Sequence, residues 1–200
     1  MSTSMIALVA VFLVLAVLVL AVLAVIGVRA WRSRRLRVTF GPEYDRTIDE
    51  AGSREEAERD LEGRVERRRE LELRDLDETA RQRYADEWRA VQSRFVDDPR
   101  GAVQQADELV TKAISDRGYP TSDFDQQVAV VSVDHPKAVS SYRHAHEVML
   151  SRARDGVATD DLRQAMVHYR ELFELLIGQP VTVETEPAPE TRSRPAGEAN

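Results

Sequence analysis

The sequence predicts an all-α protein, with an N-terminal transmembrane helix followed by a long amphipathic helix and a small helical bundle. Three observations lead there. Residues Ile6 to Val28 carry no charge, the stretch from Ser53 to Phe95 has no proline and is dense in good helix formers, and beyond Asp98 apolar residues recur at helical spacing between prolines and glycines. The length, less an anchor and a tail, leaves room for one soluble domain of about 140 residues.

Residues 1–5 are a short N-terminal tail expected outside the cytoplasm, and 6–28 are the span. About 20 apolar residues cross the hydrocarbon core as a helix that satisfies its own backbone polar groups. A cleaved signal peptide fits less well. No basic residue precedes the run, the run is too long, and the nearest small-x-small site, Val28-Arg29-Ala30, lies among arginines. Arg29, Arg32, Arg34, Arg35 and Arg37 follow the span at once, so the positive-inside rule puts the C-terminal side in the cytoplasm. Trp31 falls at headgroup level, and these six residues form the expected membrane interface. Gly27 is alone in the span and offers no glycine pair for a specific helix dimer. The expected setting is a single pass through the plasma membrane, with the body in the cytoplasm.

The five arginines put +5 beside the membrane and residues 179–200 carry −2, so the body between them, 38–178, carries −10 of a total of −7. An acidic body is a poor partner for phosphate backbones, and nucleic-acid binding is not expected. With no cysteine there is no disulfide, thiolate metal site or cysteine nucleophile.

The basic segment and linker, 29–52, contain Phe40-Gly41-Pro42-Glu43-Tyr44-Asp45, and the stretch Val38–Ile48 reads as a short structured linker whose aromatics pack onto the domain. A cytoplasmic helical domain is expected over 53–178. Ser53 with Glu56 fits a capping box. Leu61 and Val65 form a thin stripe, and from Leu73 a clearer one runs through Leu76, Ala80, Tyr84, Trp88, Val91 and Phe95, so 53–95 is predicted as one helix able to project as a stalk. Asp98-Pro99 starts the next helix and Gly118 ends it. Ser122 or Asp123 caps a segment whose valines, 128–133, suit a strand, but a lone strand has no partner, and a helix is preferred. Asp134-His135-Pro136 starts a helix ending at Gly156. Thr159 caps the last one, which Gly178-Gln179-Pro180 stops. Residues 179–200 read as a disordered acidic tail.

The four histidines lie in the last third, but no zinc-binding spacing occurs, and His144 and His146 are two apart and diverge on a helix. No metal and no cofactor is expected. The densest polar-aromatic cluster is Tyr142-Arg143-His144 with His168-Tyr169-Arg170, which antiparallel last helices would bring together. Tyr142, Arg143, His146, His168 and Tyr169 are the candidate ligand- or partner-binding residues. Asp134 or Glu147 could serve a histidine base, but no nucleophile elbow or phosphate loop accompanies them, and a buried network ordering the helices explains the same residues. No catalytic residue is named.

The chain resembles a group of short, uncharacterised single-pass membrane proteins of actinobacteria. The likeness lies in Phe40–Asp45, Tyr84 with Trp88, Arg117-Gly118-Tyr119-Pro120, Asp134-His135-Pro136, and Leu162–Met166 leading to His168-Tyr169-Arg170. In that pattern a proline often stands where this chain has Asp75, which implies a helix running straight here. The resemblance implies a bacterial plasma membrane and no activity, cofactor or catalytic residue. The expected function is a membrane-anchored interaction or scaffold module. Its partners are the bilayer and a protein, or a second copy. The alternative is a small-molecule sensor using the Tyr/Arg/His cluster.

Overall fold

The computed structural model describes residues 3–151 and 157–178. Among these the chain is all-helical: α1 Thr3–Phe40, α2 Pro42–Ala51, α3 Arg54–Arg69, α4 Glu78–Arg94, α5 Pro99–Asp116, α6 Phe124–Asp134, α7 Pro136–Ser151 and α8 Thr159–Ile177. The expected end of α7 at Gly156 and the tail 179–200 lie outside the described residues.

α1 is a single helix of 38 residues, about 57 Å long at the usual rise. It is the one described helix long and apolar enough to cross a membrane. Its large apolar side chains from Leu15 to Val28 are exposed along the helix. The helix then continues through the arginines to Phe40, and this corrects the expected linker. Gly41, at φ +50°, makes the turn, and Pro42 at the first position of α2 restarts a helix at once. Phe40 and Tyr44 are buried, so the juxtamembrane segment is packed against the body.

The expected single helix over 53–95 is two helices. α3 stops at Arg69, the chain is outside any helix from Leu71 to Asp77, and α4 begins with the Asp77 carboxylate accepting the Ala80 N–H at 2.7 Å. Leu71, Leu73 and Leu76 pack against the core from this non-helical run, two of them spaced as in a strand rather than a helix. The Arg74 N–H donates to the Arg117 carbonyl at 3.0 Å, and the Arg117 guanidinium reaches Asp75 at 2.8 Å. Nor does α3 project as a stalk: Leu61 is fully buried and Val65 packs beside it.

The valine-rich stretch is helical, with Asp123 as the cap accepting from the Gln126 N–H. Ser53 accepts from the Glu56 N–H and Asp98 from the Gly101 N–H, as their spacing predicts. The last helix differs in detail. Ala158 holds the cap position with no side-chain bond and Thr159 is already helical.

Two apolar cores result. The larger joins α4, α5, α6, α7 and α8 around Trp88, which stacks on Phe173 at 4.8 Å. The smaller gathers Leu36 and Phe40 of α1, Tyr44 of α2 and Leu61 of α3, with Val133 of α6 beside them.

Candidate functional site

The five candidate residues divide among three places. Tyr142 and Tyr169 meet edge to face, ring centroids 5.8 Å apart, and His144 and His168 do the same at 5.7 Å. Those two pairings run in opposite directions along α7 and α8, so the helices are antiparallel neighbours as expected. Tyr142, His146 and Tyr169 belong to one buried network. Its centre is Asp107 of α5, which the sequence reading missed. The carboxylate oxygen Oδ1 accepts from the Tyr169 hydroxyl at 2.8 Å and lies 2.9 Å from His146 Nδ1. Phe124 stacks on the His146 ring at 3.8 Å, and the Tyr142 hydroxyl donates to Gln127 Oε1 at 3.2 Å. Burial pushes the Tyr142 phenol well above the usual tyrosine range, with the Asp107 charge adding to it. These contacts tie α5, α6, α7 and α8 together.

The signal for Asp107 was in the sequence. It stands four residues after Val103 and three before Val110, squarely on the apolar stripe of its helix. The acids proposed for a histidine do other work: Asp134 accepts from the Tyr119 hydroxyl at 2.6 Å and from Arg68, and Glu147 reaches only 4.0 Å from exposed His144.

Arg143 belongs to a second network around Glu43. Glu43 is 1% exposed, and its Oε1 accepts from Arg64 at 3.1 Å, Arg143 at 3.1 Å and Arg46 at 3.3 Å. One carboxylate thus joins α2, α3 and α7. Burial draws the Arg143 guanidinium below its ordinary range, and the Glu43 charge opposes that. Nearby the Glu58 carboxylate accepts from the Tyr44 hydroxyl at 2.8 Å and from Ser33 of α1 at 2.6 Å. Glu43 stands three residues after Phe40 and four before Thr47, again on a buried face.

His168 is in neither network. It lies half-buried beside His144, and burial followed by that neighbour lowers its pKa. The expected partner Arg170 lines a small cleft between α4 and α8 with Trp88, Gln92, Phe95, Arg163 and Met166, about 200 Å³ in volume. Trp88 Nε1 and Gln92 Oε1 are buried there without a hydrogen-bond partner. This donor and acceptor are the polar groups in the body best placed for a ligand, and neither was singled out from the sequence.

Beyond the apolar run of α1, Arg29, Arg34 and Trp31 are exposed. Arg32 pairs with Glu62, Arg37 with Asp45 at 2.9 Å, and Arg35 lies over the Trp31 ring at 5.8 Å. No protein family matches this chain, and neither a curated protein nor a solved structure is similar to it.

Proposed function

We propose that this chain is a membrane-anchored helical module that holds a rigid acidic body against the cytoplasmic face of the plasma membrane for recruitment of a protein partner. The single observation that carries the reading is the continuity of α1. The apolar helix runs without interruption into the body, where Leu36 and Phe40 are buried and Ser33 bonds to α3. A body fixed in this way presents one orientation to the bilayer, unlike a domain on a flexible tether. The orientation rests on the arginines after the span and the absence of basic residues before it. The likeness to actinobacterial single-pass proteins fits the same setting.

The Asp107 and Glu43 networks support a structural use of the polar residues, since each joins helices through nearly all its members. A second reading, binding of a small molecule, is favoured by the unpartnered Trp88 Nε1 and Gln92 Oε1. It therefore moves from the Tyr142–Tyr169 cluster to the α4–α8 cleft.

In-cell crosslinking of the full chain, compared with the chain lacking residues 1–28, tests the main reading. The expected result is a reproducible protein attached to the α4–α8 surface only in the anchored form. Crosslinks solely between copies would point to self-association. With no partner in either form the recruitment reading fails, and ligand screening against the α4–α8 cleft follows.

A further inference from the structure

α1 leaves its apolar run at Val28, and directly below that point α1, α3 and α6 enclose a groove of about 480 Å³. Val28, Leu36, Val65 and Val133 line it with apolar surface, Trp31 and Arg35 border it along α1, and the carboxylates of Glu62 and Glu66 line it from α3. Arg32 and Arg69 also line it, but each is matched by a glutamate, Glu62 and Glu66. Arg35 is different. Among the described residues it has no carboxylate partner, and its guanidinium lies over the Trp31 ring.

Height along the helix matters. Arg35 lies seven residues beyond Val28, about 10 Å further along a helix, just past a headgroup layer of about 5–7 Å into which its long side chain can reach back. An unmatched guanidinium, an interfacial indole and an apolar lining continuous with the lipid-facing helix suit one occupant. We propose that this groove binds a single anionic phospholipid, with its phosphodiester on Arg35 and an acyl chain passing over Val28 toward the span. Arginine suits the role because its planar fork meets two phosphate oxygens at once. The inference rests on the membrane-anchored reading above and adds a lipid class and a site to it.

The test uses the full-length protein extracted in mild detergent, where no bilayer surface potential contributes. Native mass spectrometry measures retention of added phosphatidylglycerol against phosphatidylcholine for the wild type, Arg35→Gln, Val65→Trp and Arg34→Gln. Arg34 is exposed on the same helix but does not line the groove. The wild type should retain one phosphatidylglycerol in preference to phosphatidylcholine. Arg35→Gln and Val65→Trp should weaken that retention about tenfold, the first by removing a charge-assisted contact and the second by filling the groove, with Arg34→Gln within about twofold.

Equal losses in the two arginine variants would overturn the proposal, as would equal retention of both lipids or displacement by excess inorganic phosphate. If circular dichroism shows Val65→Trp misfolded, the arginine pair alone decides. Alkaline carbonate extraction separates the two levels. Release of the wild type from membranes would bring down the anchor reading and the site with it. Resistance to carbonate without lipid preference would bring down the site alone.

Discussion

Glu43 illustrates how much of this fold hangs on single acidic side chains. Three guanidinium groups converge on one buried oxygen, and two of them, Arg64 and Arg143, are themselves largely buried. Removing the acid leaves Arg64 with Asp60, Arg46 with Glu50 and Arg143 with Asp125, all far more exposed carboxylates than Glu43, so the buried cations are poorly compensated. Glu43→Ala should lower stability by up to about 3 kcal/mol in denaturant unfolding. Asp107→Ala removes the carboxylate that the Tyr169 hydroxyl and the His146 ring share, at a cost of about 1–3 kcal/mol. Histidines set a pH dependence as well. His135, at the junction of α6 and α7, is held below its ordinary value near 6.5 first by burial, with Arg117 and Arg68 adding to it and Asp134 opposing. The unfolded chain therefore takes up this proton at a higher pH than the folded one. Its effect on stability is absent above the ordinary value and grows as pH falls through it toward the folded value. The thermal midpoint should drop between about pH 7 and about pH 5, and His135→Asn should flatten that drop.

Among the elements, the break between α3 and α4 shows tertiary structure overriding helix propensity. Residues 70–77 contain leucines, acids and arginine, all compatible with a helix, yet the chain must cross there from the smaller core to the larger. A run outside a helix can cover that distance at up to about twice the rise per residue of a helix. Gly118 makes the crossing possible. Its φ is +91°, and a Cβ there would lie 2.9 Å from the Glu72 carbonyl oxygen. Gly118→Ala should destabilise by more than about 1 kcal/mol, measured as a lower unfolding midpoint. Proline scanning checks the break directly. Asp75→Pro should be tolerated to within about 1 kcal/mol, since the residue lies outside any helix and its own carboxylate is exposed. Gln82→Pro, inside α4, should cost about 3 kcal/mol and reduce helical circular dichroism. The missed cues were the two-residue spacing of Leu71 and Leu73 and the capping residue Asp77.

For the molecule as a whole, the division into two cores predicts separable stability. The smaller core holds the base of α1 to α2 and α3, while the larger holds α4–α8 together without help from α1. Truncating Phe40, fully buried in the smaller one, removes contacts worth about 3–5 kcal/mol. Hydrogen exchange of Phe40→Ala should show α2 and α3 losing protection while α5 and α8 keep theirs. Uniform loss across all helices would mean that the two cores unfold as one. Such a variant also loosens the body from the span, so it should weaken any partner recruitment that needs a fixed orientation.

The sequence by itself determined the helical class, the long apolar helix with its arginine flank, and most helix starts and stops, because these follow from local rules. A capping aspartate, a proline at the first turn or an uncharged stretch acts on its own neighbours. Only the tertiary structure decided which polar residues meet. Tyr142 and Arg143 are adjacent in the chain, yet they serve different networks because neighbouring residues on a helix point about 100° apart. Asp107 and Glu43 became centres through the approach of helices distant in sequence. A helix period shows that an acid faces inward, and it leaves open which guanidinium or hydroxyl will be waiting there.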